Sequence, residues 1–179
     1  MANQPSPIYK MADYSPTSLF TLVPAEGSLK MSLQQILAEL FNLPQETEVF
    51  TEEVPEYNAT LVYCWEREHN QALSPMASLK PTVLKHLKSL SRIKEHNKLI
   101  LDFDVNRKKT TLLLAEGERL ILANSYHTVD FGSAIYYMLE LLRKSQLNPQ
   151  QTTVNLYGKT TDEELKRLRE YVKDIQICL

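Results

Sequence analysis

Behind Ser32, the apolar residues Leu33, Ile36, Leu37, Leu40 and Phe41 recur at helical spacing. Ser32-x-x-Gln35 has the form of a capping box, in which each side chain satisfies a backbone N–H left free at the helix start. Asn42 and Pro44 stop that helix. Residues 47–51 and 60–65 are rich in β-branched and aromatic side chains, so they predict two strands joined through Pro55-Glu56-Tyr57-Asn58. After a polar stretch at 66–75, Leu79, Val83, Leu87 and Leu90 fall four, four and three apart, with Pro81 where a first helical turn tolerates proline. This predicts a second helix ending before Asn97. The residues ahead of all this carry Pro5, Pro7, Pro16, Pro24 and Gly27, which break both periods and predict an extended arm.

From Lys98 the period changes to two. Leu99, Leu101 and Phe103 alternate with Ile100, Asp102 and Asp104; the polar Asn106-Arg107-Lys108-Lys109 follows, and then a strand-like run at 110–115, so the pair reads as a hairpin. Glu116-Gly117-Glu118 is a short turn into a third apolar run at 119–123, which makes the three strands a meander. Thr128 and Asp130 open a helix with Phe131, Ile135, Met138, Leu139 and Leu142 on one stripe, closed by Arg143, Lys144 and the stop Asn148-Pro149. A strand at 153–157 ends at Gly158, Thr161-x-x-Glu164 caps a last helix carrying Leu165, Leu168 and Val172, and Ile175, Ile177 and Leu179 alternate in a last strand. The order βββαβαβ places the later strands in parallel through right-handed crossovers, giving a mixed sheet flanked by helices. That is the order of the ribonuclease H-like core of actin-like ATPases. The fold class expected is α/β, with an extended arm over residues 1–30, a partial N-terminal α/β lobe over 31–97 and a C-terminal ribonuclease H-like lobe over 98–179.

Composition narrows the function without naming it. A chain of 179 residues with 43% apolar residues, 23% charged residues and a net charge of -2 can bury a core and carries no charge excess that announces a partner. No apolar run approaches the ~18 residues of a membrane span. Met1-Ala2-Asn3-Gln4-Pro5 has neither the basic nor the apolar region of a secretion signal, so the cytoplasm is the expected location. Cys64 and Cys178 stand alone, without metal-ligand spacing, and are expected as buried filler. Gly27, Gly117, Gly132 and Gly158 are too few for a glycine-rich phosphate loop. His69, His86, His96 and His127 fall in no metal-binding pattern and no serine lies in a GxSxG elbow, so a hydrolase triad has no support. Asn58-Ala59-Thr60 matches the glycosylation sequon, which without a secretion signal has no expected consequence.

Phe20-x-x-Val23-Pro24-Ala25-Glu26, the block from Arg119 to Lys144, the block from Leu156 to Leu179, and their order resemble an uncharacterised bacterial family found mainly in Bacteroidetes. The resemblance spans roughly residues 20–179, is clearest after Lys98, and implies an actin-like ATPase fold with no assigned activity. Family members usually have further strands ahead of the Val-Pro element, so an incomplete first lobe is expected, whether natural or through truncation. In active members of the wider superfamily, a strand ending in Asp-x-Gly-x-Gly-Thr wraps the nucleotide phosphates: glycines let backbone N–H groups approach the anion, and the carboxylate orders the metal and its water. The matching segment here is Leu101-Asp102-Phe103-Asp104-Val105-Asn106-Arg107-Lys108-Lys109-Thr110-Thr111. Asp102 and the threonines match in type, but no glycine lies between them and the loop is longer and bulky. Of the later adenosine-side glycine pair, only Gly158 remains, in Tyr157-Gly158-Lys159.

Asp102 and Asp104, two apart, share a face on a strand and could hold Mg²⁺ with waters, although polar ends of a hairpin strand are the commoner case. Arg107, Lys108 and Lys109 could meet phosphate, although a basic hairpin tip is ordinarily just solvated. Lys80, Lys85, Lys88, Arg92, Lys94 and Lys98, opposed only by Glu95, make a locally basic helix. No aromatic residues are interleaved there for base stacking, so a nucleic-acid partner is not expected. Tyr9, Tyr14, Tyr136 and Tyr137 are candidate anchors for a protein partner, with core packing as the ordinary alternative for the helical pair.

The function expected is that of a non-catalytic, actin-like-fold interaction or scaffold protein with nucleotide binding lost or vestigial, without catalytic residues, a metal site or a resident cofactor. The alternative is a divergent nucleotide-binding protein or weak ATPase, holding ATP and Mg²⁺ through Asp102, Asp104 and Thr110 with Gly158 near the base. A third is a nucleic-acid-associated factor working through the basic helix. A lobe short of its first strands is expected to leave a sheet edge or apolar face around Val49, Leu61 and Tyr63 unpaired. That edge would draw a protein partner or a second copy through the N-terminal half, with no membrane involved. The prolines of the arm, which donate no ladder hydrogen bonds, would cover it imperfectly.

Overall fold

The computed structural model describes residues 14–25, 31–66 and 79–178. Tyr9, Gly27, His69, Leu179 and all but the first residue of the polar stretch at 66–75 lie outside them. In chain order the elements are β1 (Tyr14–Ser15), β2 (Phe20–Pro24), α1 (Leu33–Phe41), β3 (Phe50–Val54), β4 (Ala59–Tyr63), β5 (Lys80–Pro81), α2 (Thr82–Arg92), β6 (Asn97–Asp104) and β7 (Lys109–Glu116). They continue with β8 (Arg119–His127), α3 (Phe131–Lys144), β9 (Thr153–Tyr157), α4 (Asp162–Arg169) and β10 (Asp174–Ile177). Both expected capping boxes form: the Ser32 N–H donates to Gln35 Oε1 at 2.9 Å and the Thr161 N–H to Glu164 Oε2 at 2.8 Å, each reciprocated by the cap hydroxyl.

From Asn97 onward the chain follows the order βββαβαβ. β6, β7 and β8 are an antiparallel meander, β9 joins β6 in parallel and β10 joins β9 in parallel, for a sheet order of β10-β9-β6-β7-β8. Leu99, Leu101, Phe103, Leu112 and Leu114 face the helices that follow, where Phe131, Ile135, Met138, Leu142 and Leu168 close a core. β8 runs to His127, beyond the apolar run at 119–123. Asn124, Ser125 and Tyr126 pair with Leu112, Thr111 and Thr110, so the partner strand and not local hydrophobicity sets its length.

The segment expected as an arm supplies strands. Phe20 pairs with Tyr63 and Pro24 with Ala59, antiparallel, and β3 pairs along the other side of β4, giving the order β2-β4-β3. The expectation of an unpaired edge at Leu61 and Tyr63 is therefore corrected: they lie on the middle strand and are 0% and 2% exposed. Pro24 sits at the end of the ladder, where a missing N–H is least disruptive. The strands expected at 47–51 and 60–65 form at Phe50–Val54 and Ala59–Tyr63 because a 3₁₀ turn at Pro55–Tyr57 fixes their connection, closed by Asn58 at φ 48, a left-handed conformation that asparagine tolerates.

One face of the three-stranded sheet, with Val23, Val62 and Cys64, packs on Leu37 of α1. Its other face, with Phe20, Leu61, Tyr63 and Trp65, meets Val83, Leu84, Leu87 and Leu90 of α2, which also pack on Ile100, Leu113 and Ala115 of the larger sheet. α2 is thus clamped between two sheets, and this fixes its one buried histidine, His86, over β6.

Candidate functional site

Alternation along β6 sends Leu101 and Phe103 into the core with α3, and Asp102 and Asp104 to the face that α2 covers. Directly opposed residues share a face, so Thr111 lies with Asp102, Lys109 with Asp104, and Thr110 with Phe103. Asp102 and Asp104 do come together, as expected; Thr110 is on the other side of the sheet. There it is fully buried, its hydroxyl 2.8 Å from the buried Thr128 hydroxyl, a bond that pins the end of β8 to the hairpin.

Each carboxylate of that face has a partner. Asp102 Oδ2 lies 2.7 Å from His86 Nε2, and a carboxylate acceptor requires the proton on Nε2. The His86 side chain is 3% exposed, its Nδ1 has no partner among the described groups, and its ring packs on Tyr157 with centroids 4.5 Å apart. Asp104 Oδ1 accepts the Arg107 backbone N–H at 3.1 Å, so it caps its own turn. In that turn Lys108 adopts φ 51, a left-handed conformation costing a non-glycine residue about 1 kcal/mol. The Arg107 guanidinium reaches away, donating from Nη2 to Glu66 Oε2 at 2.6 Å, while Glu66 Oε1 accepts the Ser18 N–H at 3.1 Å and the Ser18 hydroxyl. Burial would raise the Glu66 pKa; the Ser18 hydrogen bonds and the Arg107 charge outweigh it and hold the carboxyl below its ordinary 4.5.

Beside these groups lies a cavity of about 30 Å³, lined by His86, Asp102, Asp104, Arg107, Lys109 and Thr111 among others. It has room for a water or two, whereas small-molecule sites run to roughly 300–1,000 Å³. Gly158 follows β9 at φ 98, and a Cβ there would lie 2.1 Å from the Phe103 carbonyl oxygen, so the close approach of two backbones accounts for this glycine. Among the described residues no group of three or more His, Cys, Asp and Glu side chains is placed to hold a metal ion. Sequence reasoning missed the pairing of His86. Its one signal is a polar residue beside Leu87 on the apolar stripe of α2. Glu66 and Ser18 carried no signal, because they meet Arg107 only through the fold.

The basic residues around α2 do not form one stripe: Lys80 pairs with Glu52 and the buried Lys98 donates to the Ile93 carbonyl at 2.7 Å, leaving Lys85, Arg92 and Lys94 exposed. Tyr136 is 61% exposed, while Tyr137 stacks on Tyr126 at 4.7 Å. Cys64 is buried, as expected, with its thiol pushed up to about 11 by burial and by Glu66; Cys178 is half-buried. No helix among the described residues is long and apolar enough to cross a membrane.

The model of a family described as a protein of unknown function (DUF3822) matches residues 14–175. The chain belongs to this family. It is also similar to a crystal structure from Bacteroides thetaiotaomicron VPI-5482, a protein with actin-like ATPase fold and unknown function, at a TM-score of 0.76 and 17% identity over 92% of this chain. This likeness establishes the actin-like fold. The chain spans 66% of that protein's length. A type IV pilus biogenesis complex, PilM-PilN, overlaps at a TM-score of 0.48 and 16% identity, covering 89% of this chain and 65% of that one. No curated protein matches the chain.

Proposed function

We propose that the chain is a non-catalytic interaction or scaffold protein of the cytoplasm that keeps the actin-like fold and has lost nucleotide binding. The observation that carries this reading is the bond between His86 and Asp102. The strand carboxylate that would order a metal and its water in an active relative is the acceptor for a buried imidazole. Withdrawing it would leave that ring without a partner, at a cost of about 1–3 kcal/mol. The rest of the arrangement argues the same way against ATP and Mg²⁺. Thr110 faces away, the turn position that would favour glycine is Lys108, and the cavity is an order of magnitude too small. In this reading residues 98–179 carry the ribonuclease H-like lobe, and residues 31–97 together with β2 a partial lobe. A partner or second copy engaging the N-terminal half would meet the outer edges of β2 and β3, since β4 is paired on both sides.

Titration calorimetry with ATP, with and without Mg²⁺, tests the loss of nucleotide binding. The expected affinity is weaker than about 1 mM, equivalent to about -4 kcal/mol. A micromolar dissociation constant that disappears in Asp102→Ala would overturn it and make the protein a divergent nucleotide binder.

A further inference from the structure

We propose that Ser18 and Arg107 form an oxyanion-binding site whose built-in occupant is the Glu66 carboxylate, and that the site takes a monoanionic carboxylate once that side chain is removed. Three donors converge on Glu66: the Ser18 N–H at 3.1 Å, the Ser18 hydroxyl, and Arg107 Nη2 at 2.6 Å. They come from two segments far apart in sequence, and bonds that do not involve Glu66 hold the backbone of both. Residues 17–19 are stitched to β4's continuation by the Thr17 hydroxyl, which donates to the Cys64 carbonyl at 2.8 Å, and by the Cys64 N–H, which donates to the Leu19 carbonyl at 3.0 Å. The backbone of Arg107 is fixed by its N–H on Asp104. A backbone held independently of Glu66 presents these donors to an anion, and their charge-assisted bonds are of the strong kind. Ser18 is only 6% exposed, so with Glu66 gone its N–H would be costly to leave unpaired.

The charge of the anion follows from the neighbours. Arg107 also lines the neighbouring cavity with Asp102, Asp104 and Lys109, whose formal charges cancel with its own when Glu66 is left out. One negative charge restores the present balance, whereas a phosphate dianion would face two carboxylates. The test of this site reads neither ATP nor activity.

The test is thermal unfolding of Glu66→Ala with sodium acetate against sodium chloride at equal ionic strength. The expected result is a melting temperature below that of the wild type which acetate raises with rising concentration, as mass action requires, while wild type and the double variant Glu66→Ala/Arg107→Gln do not respond. Acetate acting no better than chloride, or equally well in the double variant, would overturn the site; inorganic phosphate outperforming acetate would overturn the monoanion assignment. If Glu66→Ala does not fold, nitrogen NMR of Arg107 decides. Separate Nη signals in the wild type that merge in Glu66→Gln support a held guanidinium, and merged signals already in the wild type contradict it.

Discussion

The two faces of the β6–β7 hairpin hold residues of similar type and treat them in opposite ways. Toward α3, Phe103 lies edge-on to Phe131 with ring centroids 5.3 Å apart, and the polar Thr110 is buried against a second hydroxyl. Toward α2, Asp102 and Asp104 surround a water-sized cavity and are answered one by one, by His86 and by the turn's own backbone. The first face is held by packing; on the second, Ile100, Leu113 and Ala115 pack on α2, and beside them each of the two carboxylates is satisfied by a hydrogen bond.

This contrast can be broken at graded cost. Phe103→Ala empties the packed face and should lower stability by about 3–5 kcal/mol, read by denaturant unfolding; a loss under 1 kcal/mol would mean that the face is not a close-packed core. Thr110→Val keeps the shape but leaves the Thr128 hydroxyl unpaired at 1% exposure, an expected loss of about 2 kcal/mol, which Thr110→Val/Thr128→Val should partly restore. Asp102→Ala should cost less, about 1–2 kcal/mol, because its side chain is 25% exposed and water can reach the vacated position. Losses for Asp102→Ala and His86→Leu that simply add up to the loss for Asp102→Ala/His86→Leu would contradict a bond between them.

The smallest effect is a pH dependence at the rim. The Glu66 carboxyl is held below 4.5, so the folded state binds its proton less readily than the unfolded chain does. Its contribution is therefore fully present above that ordinary value and disappears as the pH falls through the lowered one. The melting-temperature gap between wild type and Glu66→Gln should be constant near neutrality and close in acid. A gap that does not change with pH would remove the charge from the account.

What was legible in the chain is what is local. The capping boxes at Ser32 and Thr161, the meander and the two later strands each announce themselves within one turn or one short loop. The pairing of Phe20 with Tyr63 spans a helix and a hairpin, and proline-broken periodicity hid the strand that makes it. The grouping of Thr110 with Asp102 failed for a definite reason. The four residues between Asp104 and Lys109 bring odd positions of β7 opposite even positions of β6, so a common sequence parity places two residues on opposite faces. His86 was visible only as a solitary histidine, since what it meets is decided by where two sheets clamp α2.

The most direct test of the central claim, that the polar face of the hairpin is satisfied from within, is a proton–nitrogen correlation spectrum of the wild-type protein titrated with ATP and Mg²⁺. The account predicts that the amides of residues 102–111 and 157–159 stay in place up to millimolar nucleotide. Saturable shifts confined to those residues at micromolar concentration would contradict it.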